Sequence, residues 1–491
     1  MSRPESVSRP NIVYILADDM GYGDISRLNP ESKIRTPCLD RLAGEGMAFT
    51  DAHSTSAVCT PSRYSIMTGR YNWRSTLKRG VSFGYDRHLI EDGRTTVASF
   101  LKRHGYATGC VGKWHLGIDW ALNSDAFDDV DYSRPIANGP RVFGFDYFFG
   151  ISGSLDMIPY VYIENDRVTA LPDRVIEAGV GKGFWREGPI SHDFRHEDVL
   201  PTLTRKAVDF IAEQSANTPF FLYFPLSAPH APILPTPEFQ GASGTNAYGD
   251  FVLMVDSVVG QVMAALDRAG VSDNTILIFT SDNGCSPMAD FAELAGYDHH
   301  PSYHFRGHKA DIYEGGHRIP LLLRWPESVR AGAVCDDTVC LVDLLATCAE
   351  LLGDDLPNSA GEDSVSNLPL WLEIPGAAPV REATVHHSID GSFSIRQDHW
   401  KLELCPGSGG WSWPKPGAEC EGMPPIQLYD LNADIGERVN LYDQHTEVVR
   451  RLTDLLTRYV RNGRSTPGLP QANTGPRHWP QLNWMMEDDG V

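Results

Sequence analysis

Four short apolar runs, each ending in a polar cluster, constrain this chain more than any other feature. They are Asn11–Leu16, Ala107–Val111, Phe220–Phe224 and Thr275–Thr280. Each is rich in β-branched or aromatic residues and reads as a strand buried on both faces. Each leads within a few residues to side chains that carry chemistry: Asp18-Asp19, Lys113 and His115, His230, and Asp282-Asn283. Helical patterns over Thr96–His104, Leu203–Gln214 and Tyr248–Ala269 lie between them. Strands alternating with helices predict an α/β fold, with a large, mostly parallel β-sheet sandwiched by helices. In such sheets the active site lies beyond the carboxyl ends of the strands. Four clusters would then meet at one edge.

Near residue 375 the pattern changes. Thr384–His387, Ser392–Arg396, Lys401–Leu404 and Gln427–Tyr429 read as short strands, and Glu447–Arg461 as an amphipathic helix. The expected division is a catalytic α/β domain over 1–378 and a smaller C-terminal subdomain, antiparallel sheet plus helix, over 379–465. A tail over 466–491, rich in Pro, Gly and Trp, either docks on the body or stays loose. Its Trp479 and Trp484 are also candidates for packing on a neighbouring subunit, so an oligomer is possible. Leu122–Arg141, Ile151–His196 and Cys285–His304 read as long irregular segments, the usual form of binding loops or lids.

A formal charge of −22 argues against nucleic acid or an anionic membrane as partner. An anionic substrate would enter against this field, so local cations must dominate its pocket. No apolar run approaches bilayer-spanning length, and the polar Met1–Pro10 is no signal-peptide core. The expectation is a cytoplasmic protein if this N-terminus is native, and a periplasmic or secreted one if a leader was trimmed. The nine Cys include no Cys-x-x-Cys pair, which argues against structural zinc. Cys405 and Cys420, flanking a Gly/Pro/Trp-rich loop, could pair.

Adjacent carboxylates such as Asp18 and Asp19 repel, and a partly buried pair calls for a cation. Oxygen ligands of this kind favour Ca²⁺ or Mg²⁺, and Asp282 with Asn283 offers a further carboxylate and an amide. Taken singly, each pair is also an ordinary turn, Asn-Gly especially. Lys113 and His115, two apart on an extended segment, share one face. His230 lies between prolines that stiffen its loop, which suits a general acid. In Gly307–Pro320, Lys309 is a second anion-binding candidate, while Glu314 and Arg318 read as an internal ion pair. His299, His300, His304 and His308 match no standard metal spacing and read as structural or substrate-contacting. Finally, Cys59-Thr60-Pro61-Ser62-Arg63 opens a helix through Tyr64–Met67, with Pro61 in its first turn. Its N-terminus would add donors and partial positive charge beside residue 59. A buried free thiol is the simpler reading of Cys59.

Cys-x-Pro-x-Arg resembles the formylglycine signature of the sulfatases. With the Asp-Asp strand end, Gly-Lys-x-His, the Pro-His loop, Asp-Asn-Gly and Lys-x₄-Glu-Gly-Gly-x-Arg in order, the chain resembles a type I sulfatase of the alkaline phosphatase superfamily. The likeness runs from Asn11 to about Arg461; Trp400-Lys401, Leu428–Leu431, Glu437 and Asn440-Leu441 resemble the family's closing subdomain. The resemblance implies an alkaline-phosphatase-like fold and hydrolysis of a sulfate ester, of a sulfated carbohydrate or an aryl sulfate, to alcohol and inorganic sulfate. It implies conversion of Cys59 to 3-oxoalanine (formylglycine) by a formylglycine-generating enzyme, and a covalent sulfo-enzyme intermediate. It also implies Ca²⁺, with Mg²⁺ possible, on Asp18, Asp19, Asp282, Asn283 and residue 59.

Roles follow by analogy. Asp282 is a candidate base, His230 with Lys309 protonates the leaving oxygen, and His115 deprotonates the second hydroxyl. Arg63, Lys113 and Lys309 surround the sulfuryl oxygens with positive charge. A phosphonate monoester or phosphodiester hydrolase of the same superfamily is one alternative, although such relatives tend to carry His where this chain has Asn283. A non-catalytic sulfoglycan-binding protein is another. Asp156, Tyr160, His192, Asp193, His196, Tyr303, His304 and Arg306 are polar enough to hold a sugar, and the Trp- and Tyr-bearing loops favour a sulfated carbohydrate.

Overall fold

The computed structural model describes residues 9–214, 218–374 and 380–485. The Asn11–Asp18 strand runs through a ten-stranded mixed sheet, between Phe220–Pro229 and Thr275–Ser281, both parallel to it. Ala107–Lys113 and Tyr147–Ile151 continue the parallel run on one side. On the other, Leu321–Arg324 runs antiparallel to both its neighbours, Thr275–Ser281 and Met47–Phe49, and Ala333–Cys335 lies parallel to Met47–Phe49 at the edge. All four expected strands are present, and each continues past its apolar run toward its polar cluster. Pairing on both sides carries the backbone ladder beyond the point where side-chain hydropathy stops.

Alternation along the central strand divides the interior. Val13, Ile15 and Ala17 enter one core, whereas Ile12, Tyr14 and Leu16 enter the other. The Val199–Glu213 and Ala247–Ala269 helices cover the first core; Cys59–Thr68, Val97–Arg103 and Leu344–Leu352 cover the second. Each such Val, Ile or Leu, fully buried, contributes about 1.5–3 kcal/mol. Ala247–Ala269 is, by length and composition, apolar enough to cross a membrane, which corrects the reading that no run approaches that length. Its Val252, Val255, Val259 and Leu266 are buried in the core against the sheet.

The Ile151–His196 stretch is less irregular than its sequence suggests. It holds two hairpins, Ile163–Glu164 with Arg167–Val168 and Pro172–Ile176 with Gly188–Ser191. Their strands are short and half exposed, so no apolar alternation announces them. The small antiparallel sheet has the order Thr384–His387, Phe393–Gln397, Trp400–Glu403, Gln427–Asp430 and packs under the Thr446–Asn462 helix. The tail docks there too. Trp479, Leu482 and Met485 are buried in that core, and Trp484 meets Phe393 edge-on at 5.2 Å. These tryptophans are therefore engaged by their own chain. Cys405 and Cys420 are both free thiols.

Candidate active site

Two backbone features bring the strand ends together. Asp19 takes a left-handed conformation, φ 66°, and its amide donates to Asp282 Oδ1 at 3.3 Å. The Met20 amide donates to Ser281 Oγ at 3.0 Å, locking the first strand end to the last. On the other flank Gly112 has φ 136°, and a Cβ there would stand 1.8 Å from the Pro225 carbonyl oxygen. Only glycine lets the two strands approach so closely just before Lys113. Cys59 opens the Cys59–Thr68 helix after an extended Val58, so the helix N-terminus faces the same edge.

The side chains that converge are acids interleaved with bases. Ligand atoms of Asp18, Cys59 and Asp282 lie within 4.8 Å of one another, and so do those of Asp18, Asp19 and His230. Lys113 Nζ donates to Asp18 Oδ2 at 2.6 Å. Arg63 donates to Asp282 Oδ2 from Nε at 2.9 Å and Nη2 at 2.8 Å, and from Nη1 to the Lys113 carbonyl at 2.9 Å. Lys309 Nζ donates to Asp19 Oδ2 at 2.7 Å, and His230 Nε2 stands 3.6 Å from the same oxygen. His115 turns its Nε2 to the Ser82 carbonyl at 2.7 Å, leaving Nδ1 buried without a partner.

Burial raises Asp18 and Asp282, and the neighbours decide the outcome. Asp18 ends well below its usual range, because Lys113, His230, Arg63 and Lys309 together outweigh its desolvation. Asp282 is pushed up to about 6 by burial and by the charge of Asp18. Burial, then Lys113 and Arg63, hold His115 well below the ordinary imidazole value, so it is neutral at pH 7. Burial raises the Cys59 thiol despite Lys113 and Lys309. A buried thiol kept protonated is a weak nucleophile.

The donor set fits a hard divalent cation. Three carboxylates meet Asn283 at the strand ends, its Nδ2 donating to Asp19 Oδ1 at 2.7 Å, and Asp18 Oδ1 and Asn283 Oδ1 are buried without hydrogen-bond partners. A second cluster joins His53, His317 and His386, with 3.0 Å between the Nδ1 atoms of His53 and His317. Its His317 and His386 rings are stacked 3.9 Å apart at 6°. Near-parallel planes cannot both contain one ion, so this cluster is a neutral packing element. Burial first of all lowers all three imidazoles.

A family model described as Sulfatase matches residues 10–354. The chain belongs to the sulfatase family. It is 36% identical to an N-acetylgalactosamine-6-O-sulfatase of Bacteroides thetaiotaomicron over 92% of this chain and 93% of that protein. It is 30% identical to the N-acetylgalactosamine-6-sulfatase of Mus musculus (94% and 88% covered) and 32% identical to arylsulfatase A of Bos taurus (90% and 85%). A solved Bacteroides thetaiotaomicron structure, described in the context of metabolism of multiple glycosaminoglycans, superposes with a TM-score of 0.82. It is 35% identical, over 92% of this chain and 99% of that one. The protein is thus a sulfuric ester hydrolase.

The remaining candidates of this sulfatase fall into two groups. Asp156 is buried and paired with Arg186. Tyr160 bonds the backbone of both, and His196 stacks on Trp185 at 4.3 Å. The others are committed elsewhere. His192 is exposed near Asp173, and Asp193 accepts from Thr169 and Ser191. The His304 ring lies tilted against Tyr303, centroids 4.0 Å apart. Arg306 binds the Glu437 carbonyl and lies 3.8 Å over Tyr313, so it ties the small sheet to the body. His299 bonds Asp24 at 2.9 Å as a structural partner, and Glu314 pairs with Arg318 at 2.7 Å as expected. Sequence reading missed Phe83, Phe184 and Arg186, which no motif marks.

Proposed function

We propose that this sulfatase removes a 6-O-sulfate from an N-acetylgalactosamine residue of a sulfated saccharide, with Cys59 matured to formylglycine and Ca²⁺ as its ion. The observation that carries the chemistry is the convergence of Asp18 and Asp282 on Cys59, with Asp19 and Asn283 bonded to that cluster and with Arg63, Lys113 and Lys309 paired to its carboxylates. Those cations answer the −22 net charge, since a sulfate ester meets fixed positive charge at close range. Asp18, Asp19, Asp282 and Asn283 would hold the ion, which would polarise the sulfuryl oxygens. Matured, residue 59 would supply, as the aldehyde hydrate, the hydroxyl that attacks sulfur as the bond from sulfur to the ester oxygen breaks, with Asp282 taking the hydroxyl proton.

This chain's own groups do the rest. His230, the most exposed member of the cluster, would protonate the departing alcohol with Lys309 beside it. Neutral His115 would take the proton of the second hydroxyl as the bond from carbon to the sulfate oxygen breaks, sulfate leaves and residue 59 returns to the aldehyde. The substrate class rests on the two 6-sulfatases named above, which this chain matches over nearly its whole length. Sulfate release is measured from N-acetylgalactosamine 6-sulfate, its 4-sulfate isomer, N-acetylglucosamine 6-sulfate and 4-nitrophenyl sulfate. The 6-sulfated galactosamine is expected to give the highest kcat/KM. A preference for either sulfated isomer would overturn the assignment.

A further inference from the structure

We propose that Phe83, Asp156, Phe184 and Arg186 form the wall that grips the sulfated sugar itself, a reading that rests on the saccharide substrate proposed above. Their position comes from the backbone. The Ser82 amide donates to Thr60 Oγ1 at 3.1 Å and its carbonyl meets His115 Nε2 at 2.7 Å, so Phe83 directly follows a residue touching both catalytic segments. The His115 amide donates to the Ser152 carbonyl at 3.0 Å, and Asp156 lies four residues further along. On the His230 side, the Ile233 amide donates to the Lys182 carbonyl at 2.8 Å, tying the His230 loop to the segment that carries Phe184 and Arg186. The Arg186 amide closes the circuit on the Asp156 carbonyl at 3.2 Å. Residues 182–186 therefore bridge the His230 and His115 sides of the site. Cys59 and His115 are buried, whereas His230 keeps some exposure, so the leaving group departs toward this bridge.

The chemistry of the wall is that of a sugar clamp. Phe83 and Phe184 are 50% and 36% exposed, which a packing role leaves unexplained. Between them the Arg186 guanidinium lies 5.6 Å from one ring and 5.5 Å from the other. Arg186 is held by Asp156 Oδ2 and by the Asp156 carbonyl at 3.0 Å. Asp156 Oδ1 and Ser154 Oγ are buried and have no hydrogen-bond partner. Buried acceptors of this kind rarely go unmatched. A pyranose offers what is missing: hydroxyl donors for Asp156 and Ser154, an oxygen acceptor for Arg186, and an apolar face for the rings.

The test compares wild type with Arg186→Ala, Asp156→Asn and Phe184→Ala. KM and kcat are measured for N-acetylgalactosamine 6-sulfate, together with the Ki of inorganic sulfate, a probe that reaches the anion pocket without touching the wall. KM is expected to rise about tenfold or more in each variant with kcat little changed, while the sulfate Ki stays within about twofold. A sulfate Ki that rises in step with KM, or an unchanged KM, would overturn the wall. Phe184→Ala leaves the Asp156–Arg186 pair intact, so it remains informative if that pair is needed for folding. Should wild type prefer a different sulfated sugar, the same comparison made with that sugar still decides the wall, and only the substrate assignment falls. A wild type that turns over aryl sulfates and no sulfated sugar would overturn both.

Discussion

Lys113 and Asp18 pair at 2.6 Å with neither side chain reaching solvent. Asp18 has a second oxygen with no hydrogen-bond donor, so the pair is built for a third member. Removing the lysine leaves a buried carboxylate facing two others with one cation fewer.

Lys113→Ala is therefore expected to lower kcat by about 10²–10³-fold, the scale of losing a fixed charge at the reacting oxygens. It should also cost about 3–5 kcal/mol of stability, as breaking a buried pair does. Added Ca²⁺ should recover part of the stability and little of the rate. Denaturant melts with and without Ca²⁺, beside steady-state rates, check this; an unchanged melt would contradict the burial argument.

Cys59 is buried, its thiol pushed up by desolvation, at the first position of a helix. Cys59→Ala removes no hydrogen bond to another side chain and should fold normally, with turnover reduced to background. Active wild-type enzyme should yield a peptide over residue 59 about 18 Da lighter than its Cys form, as exchange of CH₂–SH for CHO requires. A fully active preparation whose peptide carries unmodified Cys would refute the aldehyde.

Much of this site was legible because chemistry and topology coincide. Asp18, Lys113, His230 and Asp282 each follow an apolar run, and a parallel sheet must bring such strand ends to one edge. The sugar wall was illegible for the opposite reason. Asp156 and Arg186 meet across 30 residues of backbone, through short half-exposed hairpins that leave no periodic trace. The buried His53–His317 contact spans 264 residues; His53 sits in no motif, and His317 only at the variable position of Lys-x₄-Glu-Gly-Gly-x-Arg. Docking of Trp479 onto Phe393 depends on a core that exists only after the small sheet has formed.

Chelation provides an independent check on the oxygen cluster. The carboxylates of Asp18, Asp19 and Asp282 together with Asn283 Oδ1 are expected to bind Ca²⁺ in the native state and not in the unfolded chain. Ligand at a hundredfold excess over Kd then adds about 2.7 kcal/mol. Exhaustive treatment with EDTA should abolish turnover and lower Tm, and Ca²⁺ should restore both. Full activity after chelation, with metal absent by elemental analysis, would remove the ion from the mechanism.

His387 tests how the small sheet is fastened to the catalytic edge. Its amide donates to the Thr55 carbonyl at 3.0 Å and its carbonyl accepts from the Ala57 amide at 2.8 Å, two residues before Cys59. The ring is buried, edge-on to Phe393 at 4.2 Å, and its Nε2 has no partner. Burial, with Lys78 adding to it, lowers its pKa to about 3. Above about pH 6.5, the ordinary value, His387 is neutral in both folded and unfolded chains and adds no pH dependence. Below that, the unfolded chain takes up a proton that the folded one refuses, so stability falls as pH falls. Between about pH 6.5 and 5 this residue alone should cost about 2 kcal/mol, at about 1.4 kcal/mol per unit. His387→Gln cannot titrate, so its unfolding free energy should decline less steeply across that window. Parallel slopes for variant and wild type would show that His387 is not the group that acid reaches.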